Sequence, residues 1–362
     1  MSARLEPATE DRARTASGAG WAWSRRSTLV GLALLTVVSM ILAVGLGPVG
    51  VMPPTVLRII GHHTIGVPEV VNWARTDDAI IWEVRLPRVL LGAIVGTALG
   101  VAGVTLQALV RNPLAEPYIL GVSSGASTGA AAAILFGVGS GLGAESVSLM
   151  AFLGALGALF LVLALARSTG RITPSRMIVA GVAVGYLLSA TTSLLILFAD
   201  SAEGARAVMF WLLGSLANAD WSTLPIGYIG MGLGMVLVYW WRRRLDLLAL
   251  GDETAMASGV DPGRTRVVLV VVVALCVGFA VSLSGGIGFV GLAAPHIARR
   301  IVGPIHRHLV PASAALGAII LVWADVAARM VLQPRELPIG VVTGVLGAPV
   351  LVALVRKLPH NT

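Results

Sequence analysis

The strongest constraint on this chain is its series of long apolar runs. Ten can be read along its 362 residues, at about 27–47, 88–110, 118–138, 146–166, 176–198, 222–241, 266–284, 286–302, 309–332 and 337–356. Crossing the hydrocarbon core of a bilayer takes roughly 20 apolar residues in a helix. Helix is the expected form of each run, because backbone groups in lipid must be satisfied within their own segment. The run at 286–302 is short for a span, and residues 204–217 are too few to cross, which reads as a re-entrant or surface helix. At 56% hydrophobic and 12% charged, the chain falls far below the roughly one-quarter charged content of soluble domains. Lipid is its solvent, and the expected fold class is an all-α polytopic membrane protein with about ten transmembrane helices.

Charge placement orients the runs. With ten spans and the N-terminus inside, nineteen Lys and Arg residues fall on the inner side and seven on the outer. Those outside are Arg58, Arg75, Arg85, Arg88, Arg206, Arg329 and Arg335. Dropping the run at 286–302 weakens the bias to sixteen against ten. The positive-inside rule therefore favours ten spans with both termini cytoplasmic. Five spans per half would set the halves in opposite orientations, the inverted-repeat plan of many transporters. Residues 1–26 are polar and read as a disordered cytoplasmic tail, and 27–358 as one transmembrane domain. Arg25-Arg26 ahead of the first run resembles a twin-arginine export signal. No small-x-small cleavage site follows Leu46, so an uncleaved first span with an arginine flank is the plainer reading.

Lysine usage excludes one chemistry. The only lysine is Lys357, followed by Leu358. A phosphate-binding P-loop requires Gly-Lys-Ser/Thr at a helix start, so any ATP chemistry has to come from another chain. The single cysteine, Cys276, allows no internal disulfide and no cysteine metal site, and reads as a small packing residue. The net charge of +8 comes from short arginine clusters between apolar runs, without the basic stripe of a nucleic-acid binder.

Inside the runs, small residues recur at four-residue spacing: Gly92, Gly96 and Gly100; Gly121, Gly125 and Gly129; Gly181, Gly185 and Ser189. Each set falls on one helix face. Two compatible readings follow, tight helix packing and a smooth wall for a large solute. Ionisable side chains are nearly absent from the runs. Asp325, with Arg329 one turn later, reads as an ion pair at the outer membrane face. Ion-coupled secondary transporters carry intramembrane acid or histidine relays, and no such relay or channel filter is visible here. His296 after Pro295 reads as structural. A metal-dependent membrane enzyme would need His62 and His63 to join Glu69, Asp77 and Asp78, but their spacing matches no helical ligand pair.

The loop at about 246–264 has a pattern of its own. Asp252 and Glu253 suit the first turn of a short helix, where the dipole favours negative charge. Gly259 suits its end. Asp261-Pro262 reads as the cap and first turn of a second helix. Two short helices joined at a glycine would make a compact cytoplasmic knob, a docking surface for a soluble engine.

At this point a family resemblance becomes specific. Glu253-Thr254-Ala255 with Gly259 looks like the coupling motif of ABC importer permeases. Arg85-Leu86-Pro87-Arg88, Gln107, Arg111-Asn112-Pro113-Leu114-Ala115-Glu116-Pro117 and Gly121-Val122-Ser123-Ser124-Gly125 resemble permeases of the cobalamin, haem and iron–siderophore importers, the FecCD family. So do Gly288-Phe289-Val290-Gly291-Leu292, Ala324-Asp325-Val326-Ala327-Ala328-Arg329 and Glu336-Leu337-Pro338-Ile339-Gly340. The blocks run in family order from about residue 80 to the C-terminus, while residues 48–80 carry no usable resemblance.

The resemblance implies a transmembrane permease in the bacterial plasma membrane that imports a bulky metal chelate. Ferric siderophore is the first expectation, with haem and cobalamin behind it. Two permease subunits, identical or paralogous, would flank one pathway. Two cytoplasmic ATPases, using ATP and Mg, would sit under the knobs, and a binding protein would deliver the chelate outside. No cofactor or metal of this chain's own is implied, and no catalytic residue. Asp252, Glu253, Ala255 and Gly259 would couple to the ATPase. Arg85, Arg88 and Arg329 would meet acids on the binding protein, and Asn112, Leu114, Thr173 and Ser175 would gate. Residues 204–217 would match the outer gate. Pro174 stands where the family varies, and it stiffens that turn and removes a donor.

Overall fold

The computed structural model describes residues 25–167 and 172–355, and its regular structure there is helical throughout. The expected tail lies outside the described residues apart from Arg25 and Arg26, which open the first helix. Arg171, Arg356 and Lys357 lie outside them as well.

In chain order the helices begin with α1 (Arg25–Gly45), α2 (Pro53–Ile65) and α3 (Arg75–Ala79). A π-helical stretch (Ile80–Arg85) leads directly into α4 (Leu86–Val110). A 3₁₀ turn (Pro117–Leu120) precedes α5 (Val122–Phe136). Next come α6 (Ser146–Arg167), α7 (Pro174–Leu197), α8 (Ala202–Leu212), α9 (Leu224–Trp240), α10 (Arg242–Leu250) and α11 (Asp252–Ala257). The last four are α12 (Pro262–Ser284), α13 (Val290–Val302), α14 (His306–Met330) and α15 (Ile339–Val355). All ten apolar runs fall on helices. Residues 48–80, silent in the sequence, form α2 and α3, and α2 buries Val56 and Ile59.

Length separates these helices. Six stretches are long and apolar enough to span: α1, α3 with α4, α6, α7, α12 and α14. The pair α9 and α10, bent by 58°, makes a seventh if it counts as one span. The thirteen residues of α13 extend only about 20 Å, short of a hydrocarbon core of about 30 Å. The eleven residues of α8 are shorter still.

Short helices leave backbone groups open, and these find partners in one another. The N–H of Ser215 donates to the Ser284 carbonyl at 2.8 Å. The N–H groups of Ile339 and Gly340 donate to the carbonyls of Gly214 and Leu213 at 3.2 and 3.0 Å. Three helix breaks, after α8, after α12 and before α15, thus meet in one knot. Gly214 and Gly285 have φ of 75° and 68°, a region open to glycine at little steric cost. The break before α13 is held separately. Glu116 Oε1 accepts the Phe289 N–H at 2.7 Å, and the Tyr118 hydroxyl accepts the Ile287 N–H at 3.0 Å.

At the centre of the bundle is α4, almost wholly buried, packed on α12, α13 and α14. A methyl group on Gly96 would strike the Gly317 carbonyl, and one on Gly317 the Gly96 carbonyl. The same close approach joins α5 and α6 at Gly125, Gly129 and Gly154. Helix packing therefore accounts for Gly96, Gly100, Gly125, Gly129 and Gly181, whereas Gly185 and Ser189 meet no such close neighbour. The wide apolar faces of α7 and α15 stay open, with Val179, Tyr186, Leu187, Val345 and Leu346 all exposed.

Candidate functional site: the outer charge node and the coupling segment

Two charged constellations occupy opposite ends of the bundle. The end holding the start of α4 is the one that the arginine pattern assigns to the outside, and is called the outer end below.

At the outer end, Arg85, Arg88 and Arg329 are only 5%, 6% and 5% exposed. Asp325, one helical turn before Arg329, takes Arg329 Nε on Oδ2 at 3.0 Å and Arg88 Nε on Oδ1 at 2.8 Å. The Nη1 of Arg88 also donates to Glu336 at 2.9 Å, and the Glu336 side chain is 48% exposed. Arg329 donates further to the carbonyls of Leu46 and Ala43, and Arg85 to those of Val44, Gly45 and Val49. Residues 43–49 close α1, where carbonyls lack intrahelical donors. The three arginines expected to meet acids on a binding protein are buried here and bonded within the chain. Long guanidinium stems at the ends of apolar helices fold back onto the nearest unpaired acceptors. The sequence-level pairing of Asp325 with Arg329 is present, but Arg88 makes it a triad. A cavity of about 710 Å³ adjoins the node, lined in part by Phe210, Trp211, Ser215, Asn218, Asp220 and Glu336.

At the other end, α10 turns sharply from α9, and α11 follows across Gly251 (φ 124°). The expected pair of short helices joined at Gly259 is corrected here: the short helices are α10 and α11, which meet at Gly251. Asp261 caps α12 itself, accepting the N–H of Gly263 at 2.8 Å and of Arg264 at 3.2 Å, so no separate second helix starts there. Glu253, Thr254, Met256 and Gly259 are exposed. Ala255 is fully buried, and Asp252 points inward. Of the four residues expected to form one coupling surface, the structure presents Glu253 and Gly259 outward and turns the other two toward the bundle.

Asp252 receives Arg266 Nη1 at 2.9 Å and Arg266 Nη2 on its other oxygen, with Arg111 Nη2 at 3.4 Å. The hydrogen bond from Arg266 is the largest influence on its carboxyl and, with both guanidinium charges, outweighs burial and holds it below the ordinary carboxylate value. Asp246 on α10 accepts the His306 N–H at 2.9 Å and lies 2.7 Å from His306 Nδ1, capping α14.

Asn112 Oδ1 accepts the Leu114 N–H at 2.9 Å and sets the turn after α4. Thr173 caps α7 through the Arg176 N–H at 3.4 Å, and Ser175 is exposed beside it. Pro174 occupies the first turn of α7, where a missing N–H costs nothing. Ala115 and Ile172 share one buried cluster, so the two turns lie over the same core. Arg266, Asp246 and His306 were not singled out by the sequence, and Glu116 entered only within the 111–117 motif. An arginine one turn into a long apolar helix, fourteen residues after an aspartate, was the available signal for Arg266. Nothing in the spacing marks the other three. His62 and His63 do not converge with Glu69: His62 Nδ1 meets the Pro68 carbonyl, and His63 pairs with Asp78 at 3.0 Å. Among the described residues no three His, Cys, Asp or Glu side chains gather at a metal-binding distance.

An all-helical bundle with several apolar spans, broken helices tied at one end and a helical knob at the other, defines a multi-pass membrane transport subunit. The chain belongs to the FecCD transport family, whose family model matches residues 24–357. It is 41% identical over 295 residues to the cobalamin import system permease protein BtuC of Halobacterium salinarum, covering 80% of this chain and 75% of that one. It is 36% identical over 330 residues to the iron(3+)-hydroxamate import system permease protein FhuB of Bacillus subtilis, covering 91% and 82%. A solved chain described as an inward-facing conformation of a metal-chelate type ABC transporter matches with a TM-score of 0.80 and 32% identity, over 92% of this chain and all of that one.

Proposed function

We propose that this chain is the permease subunit of an ATP-driven importer of metal chelates, with ferric siderophore as its cargo. The observation that carries the reading is α11, whose Glu253, Thr254 and Met256 are presented to solvent on a bundle with no P-loop of its own. The exposed knob is the docking surface for a cytoplasmic ABC ATPase, which supplies ATP and Mg. Hydrolysis in that partner moves the knob and switches the pathway between its two openings. The arginine pattern supports a plasma-membrane orientation with both termini cytoplasmic. The open apolar faces of α7 and α15 suit a second permease copy, with the pathway between the two. An extracytoplasmic binding protein docks at the outer node, where Arg88 becomes available once the half-exposed Glu336 is displaced. Such rim charges set encounter rate and register more than affinity.

The relatives divide between iron chelates and cobalamin, which makes cobalamin the second reading and haem the third, by the same mechanism. The test is reconstitution of this chain with a co-expressed ATPase and binding protein in liposomes, offered ferric hydroxamate, ferric citrate, haem and cyanocobalamin in turn. ATP-dependent accumulation of a ferric chelate is the expected result. Accumulation of cobalamin alone would replace the cargo and keep the mechanism. Uptake by the chain without any ATPase would end the reading.

A further inference from the structure

Arg266 is the largest fully buried side chain among the described residues, 1% exposed in the second turn of α12, just ahead of its long apolar stretch. A guanidinium out of water is costly unless its donors are used. Here they are used on two different elements. Nη1 and Nη2 grip both oxygens of Asp252, the first residue of α11, and Nε donates to the Leu109 carbonyl at 3.4 Å. Leu109 is in the last turn of α4, where carbonyls have no intrahelical donor. Arg111, the cap residue of α4 with φ 53°, reaches the same carboxylate at 3.4 Å. The next residue is Asn112, whose side chain holds the Leu114 N–H. One carboxylate and two guanidiniums therefore connect the coupling helix to the turn after α4, with no loop in between.

The flanks of α11 contrast with this. Gly251 and Gly259 have φ of 124° and 77°, and nothing lies within 4 Å of where a Cβ on Gly259 would sit. Glycines flank α11 at both ends, Gly259 within a hydrogen-bonded C-terminal turn, and the charged grip fixes its first turn.

We propose that Asp252, Arg266 and Arg111 form a positioning clamp through which movement of α11 is delivered to the Asn112–Leu114 turn. The clamp rests on the reading of α11 as the ATPase contact and adds the route by which that contact reaches the pathway. Asp252 is thereby a transmission residue, and ATPase docking is left to the exposed side of α11.

The experiment uses the full chain with its co-expressed ATPase in nanodiscs and needs no cargo. Spin-label pairs S258C with V138C, and P113C with V138C, report the knob and the turn against a fixed point at the end of α5. Distances are taken without nucleotide and after trapping with ATP and vanadate. In the parent chain both distances are expected to change on trapping. In D252N, which keeps the shape and removes the charge, and in R266K, which keeps the charge and removes the fork, the knob still moves and the change at the turn falls by at least half. The double variant is expected to be no worse than either single one, because both break one link. Full movement of the turn in D252N and R266K overturns the clamp, and so does failure of these variants to co-purify with the ATPase. Failure of the parent chain itself to co-purify with any ATPase would sink the functional reading beneath it, an outcome separable from the others.

Discussion

The two ends of this bundle use charge in opposite ways. At the outer node Arg88, Asp325 and Arg329 satisfy one another and close the carbonyls that end α1, so buried charge acts as a fastener. At the coupling segment a single helix keeps one charged edge fastened, through Asp252, and the other open, through Glu253. Both sites read as arginine- or acid-rich in the sequence. What separates them is the supply of complementary partners nearby. Helix-end carbonyls at residues 43–49 and the Asp325 carboxylate absorb the outer guanidiniums, whereas the Glu253 carboxylate on the exposed side of α11 meets no donor among the described residues.

That contrast can be broken most severely at Asp325. Asp325→Asn leaves buried Arg329 without its counter-charge and Arg88 with only the half-exposed Glu336, and removal of one buried partner costs about 3–5 kcal/mol. A large fall in the melting temperature of the detergent-solubilised chain is expected, and unchanged melting would show that the outer node is not a fastener. Gly259→Val comes next. A β-branched residue at positive φ costs on the order of 1–3 kcal/mol, confined here to the knob. ATPase co-purification should be lost while global melting stays within a degree or two of the parent, on the order expected for a local change. A global melting loss like that of Asp325→Asn would erase the distinction between the ends. Arg85→Lys is smaller, because lysine cannot spread its donors over three carbonyls, and each lost bond is worth about 1 kcal/mol. Faster protease cleavage within residues 46–52 is the readout, and no change there would mean that Arg85 does not hold the turn.

The smallest effect is a pH response. The folded value of Asp252 lies below its unfolded value of about 3.9. Its contribution is therefore fully present above that pH and is lost only as pH falls through the lower, folded value. Label mobility at M256C should be flat from pH 8 to about 5 and rise only in stronger acid. A rise near neutral pH would show that Asp252 is not held as described.

Much of the fold was legible because lipid imposes one rule on every segment. Each of the ten apolar runs is helical over most of its length, and glycine spacing marked seams that the packing uses at Gly96, Gly125 and Gly181. The broken helices were harder to read. Hydropathy shows where chain is apolar and cannot show that Gly285–Phe289 leaves the helix, since the partners that permit it, Glu116 and Ser215, are distant in sequence. The candidate site was legible in its outline and not in its orientation. Alternation along the six residues of α11 is too brief to reveal that Asp252 and Ala255 turn inward. The three outer arginines were placed at the ends of their helices, but all the acceptors of Arg85 and two of those of Arg329 are backbone oxygens, which leave no trace in side-chain identity.

The backbone knot of Gly214, Ser284 and Gly340 carries a last consequence. Swinging α8 aside by itself would break the bonds from the amides of Ile339 and Gly340 to the carbonyls of Gly214 and Leu213. A movement that keeps those bonds must carry the first turn of α15 along as one body. Since Glu336 stands three residues before that turn, a pull on this one acid would be felt across the knot.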